Sequence, residues 1–316
     1  MSTKYKVADV LRLEHAHLHE LGLNSWQSRS LHAIRKCRTM ALGGHIDKCT
    51  KCHKTHLLFH SCRNRHCPTC QGHKVAEWIQ KREQELLPVP YFHVVFTIPD
   101  HLNTVALHAP DKLYAILFKT AWQTLSQFSE NPEHLGAKMG MIGVLHTWGQ
   151  NLSLHPHLHC IVPSGGVTKS GHWKNTKSKS GKSNNKFLFN VKAMNKVFRA
   201  KFMAELRKEF PDLPQSLYDA LFKKKWVVFA KSAFKTNKSV IEYLGRYTHK
   251  IAISNYRILN IDKEQRTVTF SLKDYRKGGK KATQTLSTKE FIRRFAMHIL
   301  PRGFTRIRHF GILSSA

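Results

Sequence analysis

Short apolar runs with strand character alternate along this chain with longer stretches of helical spacing. In YFHVVFTIPDHL, residues 91 to 102, Val94, Val95, Phe96 and Ile98 are strand formers and Pro99 closes the run. MIGVLHTWG (141 to 149) and HLHCIVP (157 to 163) predict a second and a third strand. A short polar turn separates them, which permits a hairpin. WVVFA (226 to 230) predicts a fourth strand, and RILNIDKEQRTVTFSLKDY (257 to 275) two more around a turn. Helical patterns run through residues 1 to 42, 74 to 88, 111 to 130 and 193 to 208. SVIEYLGRYTHKIAI (239 to 253) reads as a helix that runs into an apolar, strand-like end. KEFIRRFAMHILPRGFTRIRHFG (289 to 311) reads as a basic amphipathic helix followed by a basic turn. This order predicts an α+β fold, with antiparallel strands interrupted by helices.

The same pattern suggests an organisation. Residues 1 to 90 form a helical, cysteine-bearing N-terminal domain, and 91 to 275 the core. A polar, basic loop interrupts the core at 164 to 186. Residues 276 to 316 form a basic C-terminal segment packed on that core.

Charge changes the picture most. Lys plus Arg number 52 against 20 Asp plus Glu, a formal +32 over 316 residues. That excess predicts a polyanionic partner, most simply nucleic acid. At 41% hydrophobic residues the chain can still bury a core. No apolar run is long enough to span a bilayer, and MSTKYKVADVLRLEH lacks the apolar centre of a signal peptide. The expectation is a cytoplasmic protein with no membrane partner. There is no GxGxxG after a strand and no GxxxxGK[ST], so no nucleotide cofactor is expected.

Six of the seven cysteines fall between residues 37 and 70. In a reducing compartment such crowding points to metal rather than disulfides. The pairs Cys49-x2-Cys52 and Cys67-x2-Cys70 match zinc-ribbon spacing. Each turn aims two thiolates at one ion, and four thiolates complete a tetrahedron. Cys62, His66, His60 and Cys37 stand by as a second site or as exchange partners. Four thiolates leave no place for a reacting water, and no HxE lies upstream of Cys67-Pro68-Thr69-Cys70, which argues against deaminase chemistry. Arg63 and Arg65 within the cluster suggest that it also touches nucleic acid.

LSLHPHLHC, residues 152 to 160, sets His155, His157 and His159 on one side of a strand, with Leu158 and Cys160 on the other. Two imidazoles at this spacing can hold one divalent ion; a third ligand must come from elsewhere. Tyr243 and Tyr247, four apart in SVIEYLGRYTHK, would share a helix face beside Arg246, His249 and Lys250. A tyrosine hydroxyl can attack a phosphodiester that a metal has polarised in an electropositive site.

Taken together these stretches resemble a known family. CRTMALGGHIDKC (37 to 49), SCRNRHCPTCQ (61 to 71), FTIP (96 to 99), LHTWGQNLSLHPHLHCIVPSGG (145 to 166), YLGRYTHKIAISN (243 to 255) and HILPRGFTRIRHFG (298 to 311) carry the likeness. It is to the HUH-type rolling-circle transposases of bacterial insertion sequences, of the two-tyrosine type with an N-terminal zinc-binding domain (the IS91 group). The resemblance implies an antiparallel-sheet HUH endonuclease core, RRM- or palm-like, preceded by a small zinc-ribbon-like domain. It implies Mg²⁺ or Mn²⁺ at His157 and His159, with His93, His155, Gln150 and His249 open as the third ligand. Tyr243 and Tyr247 would be the nucleophiles, and structural Zn²⁺ would sit in the cysteine domain. The implied activity is a DNA strand transferase. It nicks and rejoins single-stranded DNA at element ends through a 5′-phosphotyrosine intermediate, and a homo-oligomer is compatible with that role. The setting would be a prokaryotic cytoplasm, in association with the nucleoid. Arg246, Lys250, Arg293, Arg294, Arg302, Arg306 and Arg308 are candidate phosphate clamps, and Trp173 a candidate for stacking bases. Competing readings are a rolling-circle replication initiator or relaxase with the same chemistry, and a zinc-ribbon DNA-binding protein without catalysis.

Overall fold

A computed structural model describes residues 4–71, 86–176, 188–234, 239–240, 251–274 and 278–314. In chain order, α1 (Val7–Leu13) and α2 (Ser25–Arg35) are followed by β1 (Gly44–Lys48), β2 (Thr55–Phe59) and β3 (Tyr91–Thr97). Next come α3 (Asn103–His108), α4 (Pro110–Glu130), β4 (Gly140–Trp148), β5 (Leu154–Pro163), β6 (Gly165–Val167) and β7 (Trp173–Asn175). The remainder is α5 (Val191–Glu209), α6 (Gln215–Lys223), β8 (Val227–Phe234), β9 (Ile258–Asp262), β10 (Thr267–Asp274), β11 (Lys280–Ser287), α7 (Thr288–Ala296) and β12 (Ile307–Gly311).

These elements divide into two compact units. The first comprises Met1–Glu77, Trp148–Leu154 and His249–Arg302; the second comprises Trp78–Thr147, His155–Thr248 and Gly303–Ala316. The units are woven from non-adjacent segments, unlike the three consecutive stretches that the sequence suggests.

In the first unit, α1 and α2 share a core with the β9–β10–β11 sheet and α7. Val10, Leu11, Leu31 and Ile34 pack there with Phe270, Phe291, Ile292 and Phe295. Asn24 starts α2 with a reciprocal cap, its side chain accepting from the Gln27 N–H while Gln27 accepts from the Asn24 N–H. One carboxylate is buried in this unit. Glu14, 1% exposed, accepts two hydrogen bonds from Arg266 and one from the Thr288 hydroxyl. A buried charge needs such full pairing to be tolerated. β1 and β2 form a separate antiparallel hairpin whose side chains are almost all exposed.

The second unit is built on a five-stranded sheet in the order β12-β4-β5-β3-β8. β12 pairs with β4, β5 with β3 and β3 with β8, all antiparallel. Alternation then gives the sheet two faces. One face carries Phe96, Leu158, Cys160, Gly143 and Phe310 and is covered by helices. Phe198 of α5 meets Phe96 at 4.8 Å between ring centroids, and Trp122 of α4 stacks on Phe310 at 5.6 Å. On the other face Tyr91, Ile142, Val144 and Ile161 gather with Val240 in a small apolar cluster, beside which lie the histidines.

Several elements differ from the expectation. The basic loop at 164 to 186 begins as the β6–β7 hairpin, and its residues 177 to 186 lie outside the described set. Gly165 is required there because a Cβ would lie 2.5 Å from the Lys174 carbonyl oxygen and 2.7 Å from the Trp173 ring. The expected basic turn near the C-terminus contains β12, which completes the main sheet. KKATQTLS, unassigned from sequence, is strand β11. The helix expected over 74 to 88 lies almost wholly outside the described residues.

Candidate metal centres and nucleic-acid interface

β5 places His157 and His159 on the sheet face opposite α4 and α5, as alternation requires. The neighbouring β4 adds His146, which the sequence reading left aside. Ligand atoms of His146, His157 and His159 all lie within 4.8 Å of one another. Their ring centroids are 5.5 Å (146 to 157), 4.6 Å (146 to 159) and 4.8 Å (157 to 159) apart. Around this trio the rings are held by their other nitrogens. His157 Nδ1 stands 2.7 Å from the His155 carbonyl oxygen, and His159 Nδ1 stands 2.9 Å from His93 Nε2. A carbonyl facing Nδ1 fixes the tautomer that leaves Nε2 as a ligand atom. His93 and His159 stack at 5.1 Å with ring planes 10° apart. Burial, helped by the charge of Lys231, pushes the His93 pKa down to about 4, so its ring is neutral at pH 7 and able to accept.

His93 and His155 contact the pair through a ring nitrogen and a backbone carbonyl and lie outside the three-histidine group. Gln150 is engaged through its backbone, its carbonyl accepting from Arg257. His249 lies outside the described residues. A sequence signal for His146 did exist. It is the histidine of the strand that precedes HPHLHC across a short turn, and a hairpin partner is the nearest source of a third ligand.

The cysteines group differently from the two-knuckle expectation. Sγ atoms of Cys37, Cys62, Cys67 and Cys70 lie within 4.8 Å of one another. Cys70 Sγ is 3.6 Å from both Cys37 and Cys62. A tetrahedral zinc with bonds of about 2.3 Å sets its sulfurs roughly 3.8 Å apart, so this donor set fits the ion. Hydrogen bonds from Cys62 and Cys67 hold the Cys37 thiol down, to about 2, which favours a thiolate in the group. Cys49 and Cys52 are not part of it. They sit at the tip of the exposed β1–β2 hairpin, where Cys49 N–H donates to Lys54 O and His53 N–H donates to Cys49 O. Cys37 and Cys62 stand in their place; Cys37 follows the end of α2, its N–H donating to Ile34 O, and is buried. His66 is buried, its N–H donating to Asn64 Oδ1, and stands outside the four-sulfur group.

The basic candidates fall into distinct settings. Arg63 and Arg65 are exposed on the loop between Cys62 and Cys67, and Arg63 has a left-handed backbone at φ 51°. Arg302 is exposed and Arg306 half-buried. Arg308 lies over the Phe118 ring at 4.5 Å, on the sheet face opposite the histidines. Arg293 and Arg294 both hold the Glu290 carboxylate at 2.6 Å. Trp173 donates to Asn175 and covers Gly165. Tyr243, Tyr247, Arg246 and Lys250 lie outside the described residues.

Comparison with known proteins now adds a family. A family model described as “Putative transposase” matches residues 140–316, and one described as “Transposase zinc-binding domain” matches residues 10–98. “Putative transposase y4qJ” of Sinorhizobium fredii is 41% identical over 98% of this chain and 80% of its own length. The transposase for insertion sequence element IS801 of Pseudomonas savastanoi pv. phaseolicola is 28% identical over 94% of this chain and 73% of its own. Two solved structures of the conjugative relaxase TrwC in complex with oriT DNA, one titled metal-bound and one copper-bound, are 12% identical over 89% of this chain. They cover 86% and 84% of those chains, with TM-scores of 0.31 and 0.30, too low to add weight. On its sequence relatives alone, the chain belongs to the IS91 family of insertion-sequence transposases, and it carries that family's zinc-binding domain.

Proposed function

We propose that this transposase nicks and rejoins single-stranded DNA at element ends through a 5′-phosphotyrosine link. His146, His157 and His159 would hold Mg²⁺ or Mn²⁺, and Tyr243 and Tyr247 would be the nucleophiles. The observation that supports this reading best is the convergence of three histidines on one sheet face, within 4.8 Å, with two of the rings oriented through Nδ1. Bound there, the cation would neutralise charge developing on the scissile phosphate. Three imidazoles leave further positions for phosphate and water oxygens.

The chain's own groups then have definite tasks. His155 and His93 keep His157 and His159 in register. A tyrosine Oη gives up its proton and forms a bond to phosphorus while the bond to the 3′ oxygen breaks, and that oxygen takes up a proton in turn and leaves as a 3′-hydroxyl. Rejoining reverses the step with another 3′-hydroxyl, so bond energy is conserved. Two tyrosines would permit two successive transfers. Cys37, Cys62, Cys67 and Cys70 would hold the structural zinc of the N-terminal domain.

The test is an adduct assay. The protein is incubated with Mn²⁺ and a labelled single strand carrying a verified element end, then denatured. A covalent protein–DNA species is expected, lost in Y243F or Y247F according to which attacks first. H146A and H157A should lose the adduct and calorimetric Mn²⁺ binding, yet keep most DNA affinity, because phosphate contacts dominate it. No adduct from a verified end would overturn the enzyme reading.

A further inference from the structure

The outer strand of the main sheet carries a feature that the nicking centre does not use. In β8 the side chains alternate, so that Val228 is buried while Val227 and Phe229 are 49% and 52% exposed. Register places these two on the histidine face. Val227 pairs with Thr97, which pairs with His157; Phe229 pairs with Val95, which pairs with His159. Directly paired residues share a face, and two strand spacings amount to about 10 Å. A flat aromatic ring therefore stands in the same row as a candidate metal ligand, a short run of nucleotides away.

The surroundings of that ring are basic. Lys231 continues the same row pattern, exposed and pairing with His93. Lys223, Lys224 and Lys225 are all exposed where α6 leads into β8. Asp100 accepts from Lys224 at 3.3 Å. A half-exposed aromatic ring beside a run of lysines is poorly suited to an apolar protein partner. It suits a strand that offers both a phosphate and a π-face at each step.

We propose that this half of the sheet face is a track for single-stranded DNA, in which Phe229 stacks on an unpaired base close to the scissile phosphate and Lys231 meets the backbone. The proposal rests on the reading of the histidine trio as the nicking centre. It adds a positioning role: a base gripped at Phe229 fixes which phosphate reaches the trio. Duplex DNA offers no such base, so the track selects the unpaired form.

The test uses the full-length protein with F229A, F229L and F229W. Phe229 is exposed, so these substitutions should leave the fold intact, checked by Mn²⁺ calorimetry at the histidines. Fluorescence anisotropy with an unstructured single strand should show affinity reduced on the order of tenfold in F229A and F229L, and restored in F229W. The slope against salt should be unchanged, because stacking releases no counterions. K231A should instead flatten that slope by about one phosphate's worth. Tryptophan emission added by F229W should change on binding the strand. Wild-type affinity in F229A together with unaltered emission in F229W would overturn the proposal, even with adduct formation intact. Loss of self-association in F229A without loss of DNA affinity would also overturn it, pointing to strand pairing with a second copy. Absence of the adduct alongside the expected anisotropy results would remove the nicking reading and leave the track standing.

Discussion

At the scale of single residues, spacing named zinc chemistry for the cysteines, and the structure gathers a different four, Cys37, Cys62, Cys67 and Cys70. Cys67-x2-Cys70 holds, because the short turn alone brings both sulfurs to one place. Cys49-x2-Cys52 satisfies the same local rule, yet lies at the tip of a hairpin whose strands expose nearly every side chain. Which pair joins which depends on where α2 ends, and Cys37 carries no local spacing signal at all. This makes a direct prediction. C37S should drop the zinc content measured by mass spectrometry and destabilise the N-terminal unit, whereas C49S should leave the tightly held zinc in place. Equal zinc loss in both variants would return the site to the two-knuckle arrangement. Likewise the HxH pair was legible from alternation within one strand. His146 was legible only through the pairing of its strand with β5 across a short turn.

At the scale of elements, strands with one buried face announced themselves and polar strands did not. β3, β4 and β5 read as apolar runs because they fill the middle of the sheet. β11 is half threonine and lysine with little burial, and β12 is basic; each is a strand only because a distant partner, β10 or β4, supplies its hydrogen bonds. The end of α7 shows how such distant contacts are fixed. His298, buried, has Nε2 at 3.1 Å from the Leu152 carbonyl and so donates to it. Burial pushes its pKa down from 6.5 to about 4. The unfolded chain therefore binds this proton first as pH falls. Between roughly 6.5 and 4 the unfolded state holds more protons, so stability contributed by the neutral ring is complete above that window and declines through it. In H298Q, where an amide can keep the donor to Leu152, urea midpoints should fall less between pH 7 and pH 4.5 than in the parent. An identical decline in both proteins would show that His298 does not carry this acid sensitivity.

At the scale of the whole molecule, a net +32 is a statement about partners rather than about the fold. The described residues show how little of that charge is spent internally. Glu14 absorbs Arg266, Glu290 absorbs Arg293 and Arg294, and the acidic side chains total only 20. Self-repulsion of this size disfavours a compact state unless a polyanion relieves it. If that polyanion is a single strand contacted at about five phosphates, affinity should fall with a slope near −3.5 in log–log salt plots, or about a hundredfold between 50 and 200 mM. Thermal stability should rise on adding single-stranded DNA, and rise less as salt increases, because ligand binding stabilises by mass action. A slope shallower than about −1, measured by anisotropy over the same range, would mean that the charge serves something other than the DNA backbone. F229A offers an internal control. It should shift the whole line to weaker binding without tilting it, which separates what the ring contributes from what the charge contributes.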